Sequence, residues 1–270
     1  MLDKLESELK TRGFSQKTVE SYLFHNQEFL KFTNKKPEEI SEADIKNYLN
    51  YLNSEKKYKP RSINLVFSSL KFLYHNLLNK KIMENIKIPK LDKKEPVILS
   101  KEEIKLLLNS IENPKHKLLI NLMLTSGLRV SEAVSVKIED LNLDEKLVKV
   151  RSNKSNKDRL TILSSRVVDD IRQYLISKKD NNPYLFPIRD SHVTIKLPQK
   201  VIKQAAKKAN LDKRIFCHAL RSTFAKTLLD NDIDLPTVKE LLGNNLFNSN
   251  IYQQAYTEKL KKIKNPFEDV

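Results

Sequence analysis

The sequence predicts a mainly α-helical protein of two domains, with a small β-hairpin in the second. Three observations lead there. Apolar residues recur at helical spacing from position 15 to about 83. That periodicity stops at 86–96, a stretch with two prolines and many lysines that reads as an extended linker. After Asp140 the period turns strand-like. The predicted limits are an N-terminal helical domain at 1–85, a linker at 86–98 and a C-terminal domain at 99–270.

The elements follow in chain order. Met1 to Glu6 is a mixed-charge amphipathic start and lacks the pattern of a signal peptide. Val19, Tyr22, Leu23, Phe29 and Leu30 share one helical face. Ser41 and Asp44 form an N-terminal cap, followed by Ile45, Tyr48, Leu49 and Leu52 at helical spacing. Pro60 suits the first turn of a third helix, whose apolar face carries Ile63, Val66, Phe67, Leu70, Leu73, Tyr74 and Leu77. This bundle is too short to be the whole protein. Beyond the linker, Ser100 and Glu103 make a capping box, and 118–124 is apolar enough for a buried helix. Residues 147–151 and 160–163 read as strands joined by a polar tip bearing Lys154 and Lys157. From Val167 the chain is helical again, with loops at 181–183 and around 188–197. There is no internal repeat.

Composition narrows the function. A chain of 270 residues with 39% apolar content can bury a proper core. Its net charge of +16 calls for nucleic acid, an anionic membrane or a solvated face. No apolar run is long enough to span a bilayer, which sets the membrane aside. The one cysteine, Cys217, rules out an intrachain disulfide and a Cys-rich zinc site, and points to the reducing cytoplasm. Only 3 glycines are present, so no Gly-rich phosphate cradle can be built, which argues against kinases, NTPases and helicases. Charge alone does not separate an enzyme from a non-catalytic RNA binder.

Four places in the second domain bear chemistry. In Thr125-Ser126-Gly127-Leu128-Arg129-Val130-Ser131-Glu132 an apolar helix ends at glycine, and Glu132 lies three residues after Arg129, where it can hold the guanidinium. The hairpin tip carries Lys154 and Lys157; Lys157 reads as a solvated basic turn residue. In His218-Ala219-Leu220-Arg221 the histidine and arginine share a helical face. The fourth is Leu241-Leu242-Gly243-Asn244, followed by Ile251-Tyr252 and Tyr256. Each has an ordinary structural explanation by itself: a surface ion pair, a basic turn, a core histidine, a packed tyrosine.

Together, and in this order, they resemble the tyrosine recombinase/integrase family, and within it the Xer-type site-specific recombinases. Gly-Leu-Arg-Val-Ser-Glu, Lys-Ser-Asn-Lys-Asp-Arg, His-Ala-Leu-Arg-Ser-Thr-Phe-Ala and Leu-Leu-Gly are similar to that family's boxes. The resemblance implies an N-terminal helical, SAM-like core-binding domain and a C-terminal catalytic domain with type IB topoisomerase-like chemistry. It implies Tyr252 as nucleophile, forming a 3′-phosphotyrosyl link to DNA. Arg129 and Arg221 would clamp the nonbridging phosphate oxygens. Lys154 would protonate the departing 5′ oxygen, His218 would assist proton transfer from Tyr252, and Glu132 would support the arginines. Neither cofactor nor metal is implied. Two departures stand out. Asn244 occupies the place where the family usually has His or Trp, and can still donate a hydrogen bond to phosphate. The segment from there to the tyrosine is one residue short, which leaves Tyr256 as the alternative nucleophile. The implied partners are a double-stranded DNA site and, on that DNA, three further copies of the chain joined through the amphipathic C-terminal tail; the free protein would be a monomer or dimer, and a tail packed on its own domain is the alternative. The implied role is Xer-like chromosome dimer resolution through a Holliday junction. A mobile-element integrase and a catalytically impaired DNA-binding relative are the alternatives.

Overall fold

The computed structural model describes residues 1–88, 95–151, 158–243, 258 and 260–268. The chain divides into two compact units, Met1–Lys94 and Glu95–Val270.

The first unit is a helical bundle. Helix α1 (Leu2–Thr11) buries Leu5 and Leu9. Helix α2 (Gln16–Thr33) starts at Ser15, whose hydroxyl accepts from Thr18 N, and stops at Asn34 in the left-handed conformation. Helix α3 (Glu42–Ser54) has the reciprocal Ser41–Asp44 cap that the sequence predicts. Helix α4 (Pro60–Lys71) opens on proline, then widens into a π-type turn over Phe72–Leu77, where Leu78 N reaches Leu73 O. The predicted apolar faces meet in one core around Phe29, Ile45, Leu70 and Tyr74. Asn26, also buried there, donates to Tyr22 O and Ser69 O and so bolts α2 to α4.

The second unit is built around α6 (Pro114–Ser126), buried along 118–126. A helix apolar on all sides must be enclosed. Helices α5 (Lys101–Asn109), α8 (Ser165–Ser177), α9 (Lys196–Lys208) and α10 (Cys217–Asp230) enclose it within one apolar core. The capping box at Ser100 and Glu103 starts α5 as predicted.

The hairpin is present as β2 (Leu147–Val150) and β3 (Arg159–Ile162), with Leu147 paired to Ile162 at its open end and Val150 to Arg159 at the other. A strand the sequence did not announce, β1 (Leu141–Asn142), pairs with β2 and makes a three-stranded sheet. Two residues are too few to show alternation. The predicted loop at 188–197 also needs correction. It holds part of a two-stranded turn, β4 (Pro187–Ile188) against β5 (Ser191–His192), and α9 begins at Lys196.

Candidate active site

The C-terminus of α6 sets the position of Arg129. The helix ends at Gly127, with φ +63°. A Cβ there would lie 2.3 Å from Phe224 Cδ1, so both backbone and space demand glycine. The turn delivers Arg129 as the N-cap of α7 (Val130–Val134). Glu132 reaches back one turn: Oε2 accepts from Arg129 N at 2.7 Å and Oε1 from Arg129 Nη1 at 2.8 Å.

Arg221 comes from α10, whose buried face is fixed by Ala219, Leu220 and Phe224. Its Nη1 donates to Gly127 O at 2.8 Å and its Nη2 donates to Leu242 O. Glu132 Oε2 stands 3.8 Å from Nη1, a charge contact rather than a hydrogen bond. Arg129 and Arg221 therefore meet at one carboxylate. They differ in access: the Arg129 side chain is 44% exposed and that of Arg221 6%.

A third guanidinium joins them, and sequence reasoning missed its role. Arg159 Nη1 and Nη2 grip Glu132 Oε1 and Oε2 at 2.9 and 2.7 Å, and its Nε donates to Leu241 O at 2.9 Å. Arg159 is the last residue of the Lys-Ser-Asn-Lys-Asp-Arg hairpin box, so the signal was in view. Helix α11 (Leu235–Leu241) ends there, and Gly243 follows at φ +68°. A Cβ on Gly243 would lie 2.9 Å from Arg159 Cδ, so this glycine leaves room for the arginine stem.

The electrostatics follow from the count of charges. Burial raises the Glu132 carboxyl, but hydrogen bonds and charge from Arg159, with those of Arg129, more than offset it and hold the carboxyl at about 2. Burial, and then repulsion from Arg129 and Arg159 against the pull of Glu132, pushes Arg221 down to about 10, which leaves it charged at neutral pH. Among the described residues three guanidiniums thus share one carboxylate, and that cluster carries net positive charge for an anion.

His218 lies in the first turn of α10, exposed and one turn before Arg221 on the same face. Lys154, Lys157, Asn244, Tyr252 and Tyr256 lie outside the described residues. The described tail residues dock on their own unit. Asn265 Nδ2 donates to Thr125 O at 2.9 Å, Phe267 stacks on Phe224 at 6.1 Å between centroids, and Glu268 accepts from Ser165 N at 2.8 Å. A further feature escaped the sequence reading. Lys196, Lys200, Lys203 and Lys207 line the exposed side of α9, while Val201, Ile202 and Ala205 are buried.

No helix among the described residues is long and apolar enough to cross a membrane. Residues 98–262 match the phage integrase family, and residues 1–84 match the phage integrase N-terminal SAM-like domain. The chain is 32% identical over 271 residues to tyrosine recombinase XerA of Pyrococcus horikoshii, covering 97% of this chain and 91% of that one. A crystal structure of XerA recombinase superimposes with a TM-score of 0.53 at 28% identity, covering 96% of this chain and 97% of the other. A XerH site-specific recombinase bound to difH substrate, in a pre-cleavage complex, shares the fold with a TM-score of 0.70 at 21% identity, over 94% of this chain and 83% of its own. Two domains in family order and an arginine pair assembled on one glutamate lead to the same conclusion: the chain belongs to the phage integrase family of tyrosine recombinases, enzymes that cleave and rejoin DNA strands.

Proposed function

We propose that this protein is a site-specific recombinase of Xer type that resolves chromosome dimers in the cytoplasm. One observation carries the chemistry: Arg129 and Arg221 converge on Glu132 with net positive charge left over. A phosphodiester held there gains a second negative charge as the tyrosine attacks. Preorganised guanidiniums stabilise that charge most where it develops, in the pentavalent transition state. Arg129, the exposed member, meets the nonbridging oxygens first; Arg221 supports them from below. Tyr252 Oη forms the bond to phosphorus, and the bond from phosphorus to the 5′ oxygen breaks. The tyrosine proton passes towards His218, and Lys154 delivers a proton to the leaving 5′ hydroxyl. Asn244 donates a hydrogen bond to the phosphate. Reversal with a different 5′ hydroxyl rejoins the strands through a Holliday junction, and the phosphotyrosyl link conserves the bond energy in between.

The partner is a double-stranded recombination site, with four protomers, one nucleophile for each strand exchanged. The lysine stripe of α9 supports this, since such a row can follow a phosphate backbone. The domain limits remain 1–85, 86–98 and 99–270. A nicked duplex that, after cleavage, loses the short fragment bearing the freed 5′ hydroxyl traps the covalent adduct. Unmodified protein and Tyr256→Phe should accumulate it, while Tyr252→Phe binds the duplex and forms none. Adduct mapped to Tyr256 by mass spectrometry overturns the choice of tyrosine, and absence of any adduct overturns the enzyme reading in favour of a DNA-binding relative.

A further inference from the structure

Arg159 is the member of the cluster that has no place in the mechanism above. Its side chain is 13% exposed, and each of its nitrogens donates inside the protein: two to Glu132 and one to Leu241 O. Glu132 in turn accepts four hydrogen bonds, two from Arg129 and two from Arg159. A carboxylate has about four lone-pair sites. Arg159 therefore takes half of its capacity and offsets its charge.

We propose that Arg159 is a positioning residue for strand cleavage, resting on the tyrosine recombinase reading: it neutralises Glu132, so that Glu132 orients Arg129 without consuming its charge. The same guanidinium fixes the last turn of α11, immediately before the Gly243 segment. Without Arg159, a carboxylate only 13% exposed keeps a full charge, with Arg129 as its remaining hydrogen-bonding cation among the described residues. The pair then closes. Arg129 turns from phosphate to Glu132, and the transition state loses a donor. Lysine cannot replace Arg159, because a single ammonium on a flexible stem cannot match a fork on one carboxylate while also donating to a carbonyl on another element.

The test separates DNA affinity from single-turnover adduct formation on the nicked duplex. It uses the unmodified protein, Arg159→Met, Arg159→Lys, Glu132→Gln and the double variant Arg159→Met/Glu132→Gln. Arg159→Met should slow adduct formation about 100-fold, the lower range for loss of one preorganised transition-state donor, while affinity stays within about threefold. Arg159→Lys should not restore the rate. The double variant should react faster than Arg159→Met, because the uncompensated carboxylate is gone. A merely structural arginine predicts the opposite, a second loss added to the first. A wild-type rate in Arg159→Met overturns the proposal. So does an affinity loss matching the rate loss with a salt slope reduced by about one phosphate, which would make Arg159 a direct DNA contact. If Arg159→Met does not fold, the neutral polar variant Arg159→Gln and the double variant Arg159→Gln/Glu132→Gln carry the same comparison. Adduct formation by the unmodified protein in the same assay keeps the family mechanism's success or failure apart from that of Arg159.

Discussion

Replacing Gly127 by alanine tests how the site is built, because the structure separates two costs. The first is conformational: at φ +63° a side chain costs roughly 1–2 kcal/mol. The second is steric: a Cβ 2.3 Å from Phe224 Cδ1 and 3.1 Å from Leu242 Cδ2 must push a stacked aromatic aside. Overpacking of this kind costs roughly 1–3 kcal/mol. The sum, about 2–5 kcal/mol, corresponds to a loss of about 5–15 °C in Tm for a unit of this size. Cys217 makes the assay specific, because it is buried in the second unit and is the only cysteine of the chain. Its protection from thiol labelling against denaturant therefore reports that unit alone. Gly13→Ala is the control. Its φ is +73° with nothing within 4 Å of the new Cβ, so it should cost the first unit only the conformational part, as read by hydrogen exchange. Phe224→Leu should relieve part of the clash, so Gly127→Ala/Phe224→Leu should cost less than the sum of its parts. Equal costs for Gly127→Ala and Gly13→Ala, with strict additivity in the double variant, would refute the steric argument.

Two further outcomes are expected. Glu132 is held at about 2, below the usual carboxylate range, so its ion pairs stabilise the fold above roughly pH 4.3, the unfolded value, and that contribution fades as pH falls towards 2. Glu132→Gln should therefore lower the urea midpoint at neutral pH and flatten its decline between those limits; an unchanged acid limb would show that the cluster does not couple to folding. Lys154→Ala should slow cleavage far more than Lys157→Ala, and a 5′-bridging sulfur should rescue only the former; equal defects without rescue would make the tip a backbone contact alone.

The legible parts of the molecule are those specified by nearby residues. Ser41 with Asp44, Pro60, and Ser100 with Glu103 announce helix starts because a cap is a short-range bond between residues three apart. Gly127 announces a helix end for the same kind of reason. Glu132 was placed beside Arg129 by helical spacing alone. Arg159 was not, because its partners Glu132 and Leu241 lie far away in sequence and no local period connects them. The docking of Phe267 on Phe224 was hidden likewise: an amphipathic tail announces that it will bury one face, and not against what. Strand β1 was too short for alternation, and so were β4 and β5, while α9 falls in the stretch read as helical and starts two residues inside the predicted loop.

The arginines occupy their places because helix ends make room for buried cations. A helix leaves its last carbonyls without partners and with partial negative charge. At the end of α6, Thr125 O accepts from Asn265, Ser126 O from Thr161 and Gly127 O from Arg221. At the end of α11, Leu241 O accepts from Arg159 and Leu242 O from Arg221. Arg221 thereby bridges two helix termini, and its burial is compensated by carbonyls rather than by a second carboxylate. That difference matters for chemistry. A carboxylate would neutralise the guanidinium, whereas carbonyl oxygens fix its plane and leave its charge to act on a phosphate. Among the described residues of the site, Glu132 is the carboxylate that the three cations share, and its single charge does not offset all three. The fold thus uses the ends of α6 and α11 to hold positive charge in a nearly dry position before any DNA arrives, which is the condition under which that charge acts on the transition state without first reorganising.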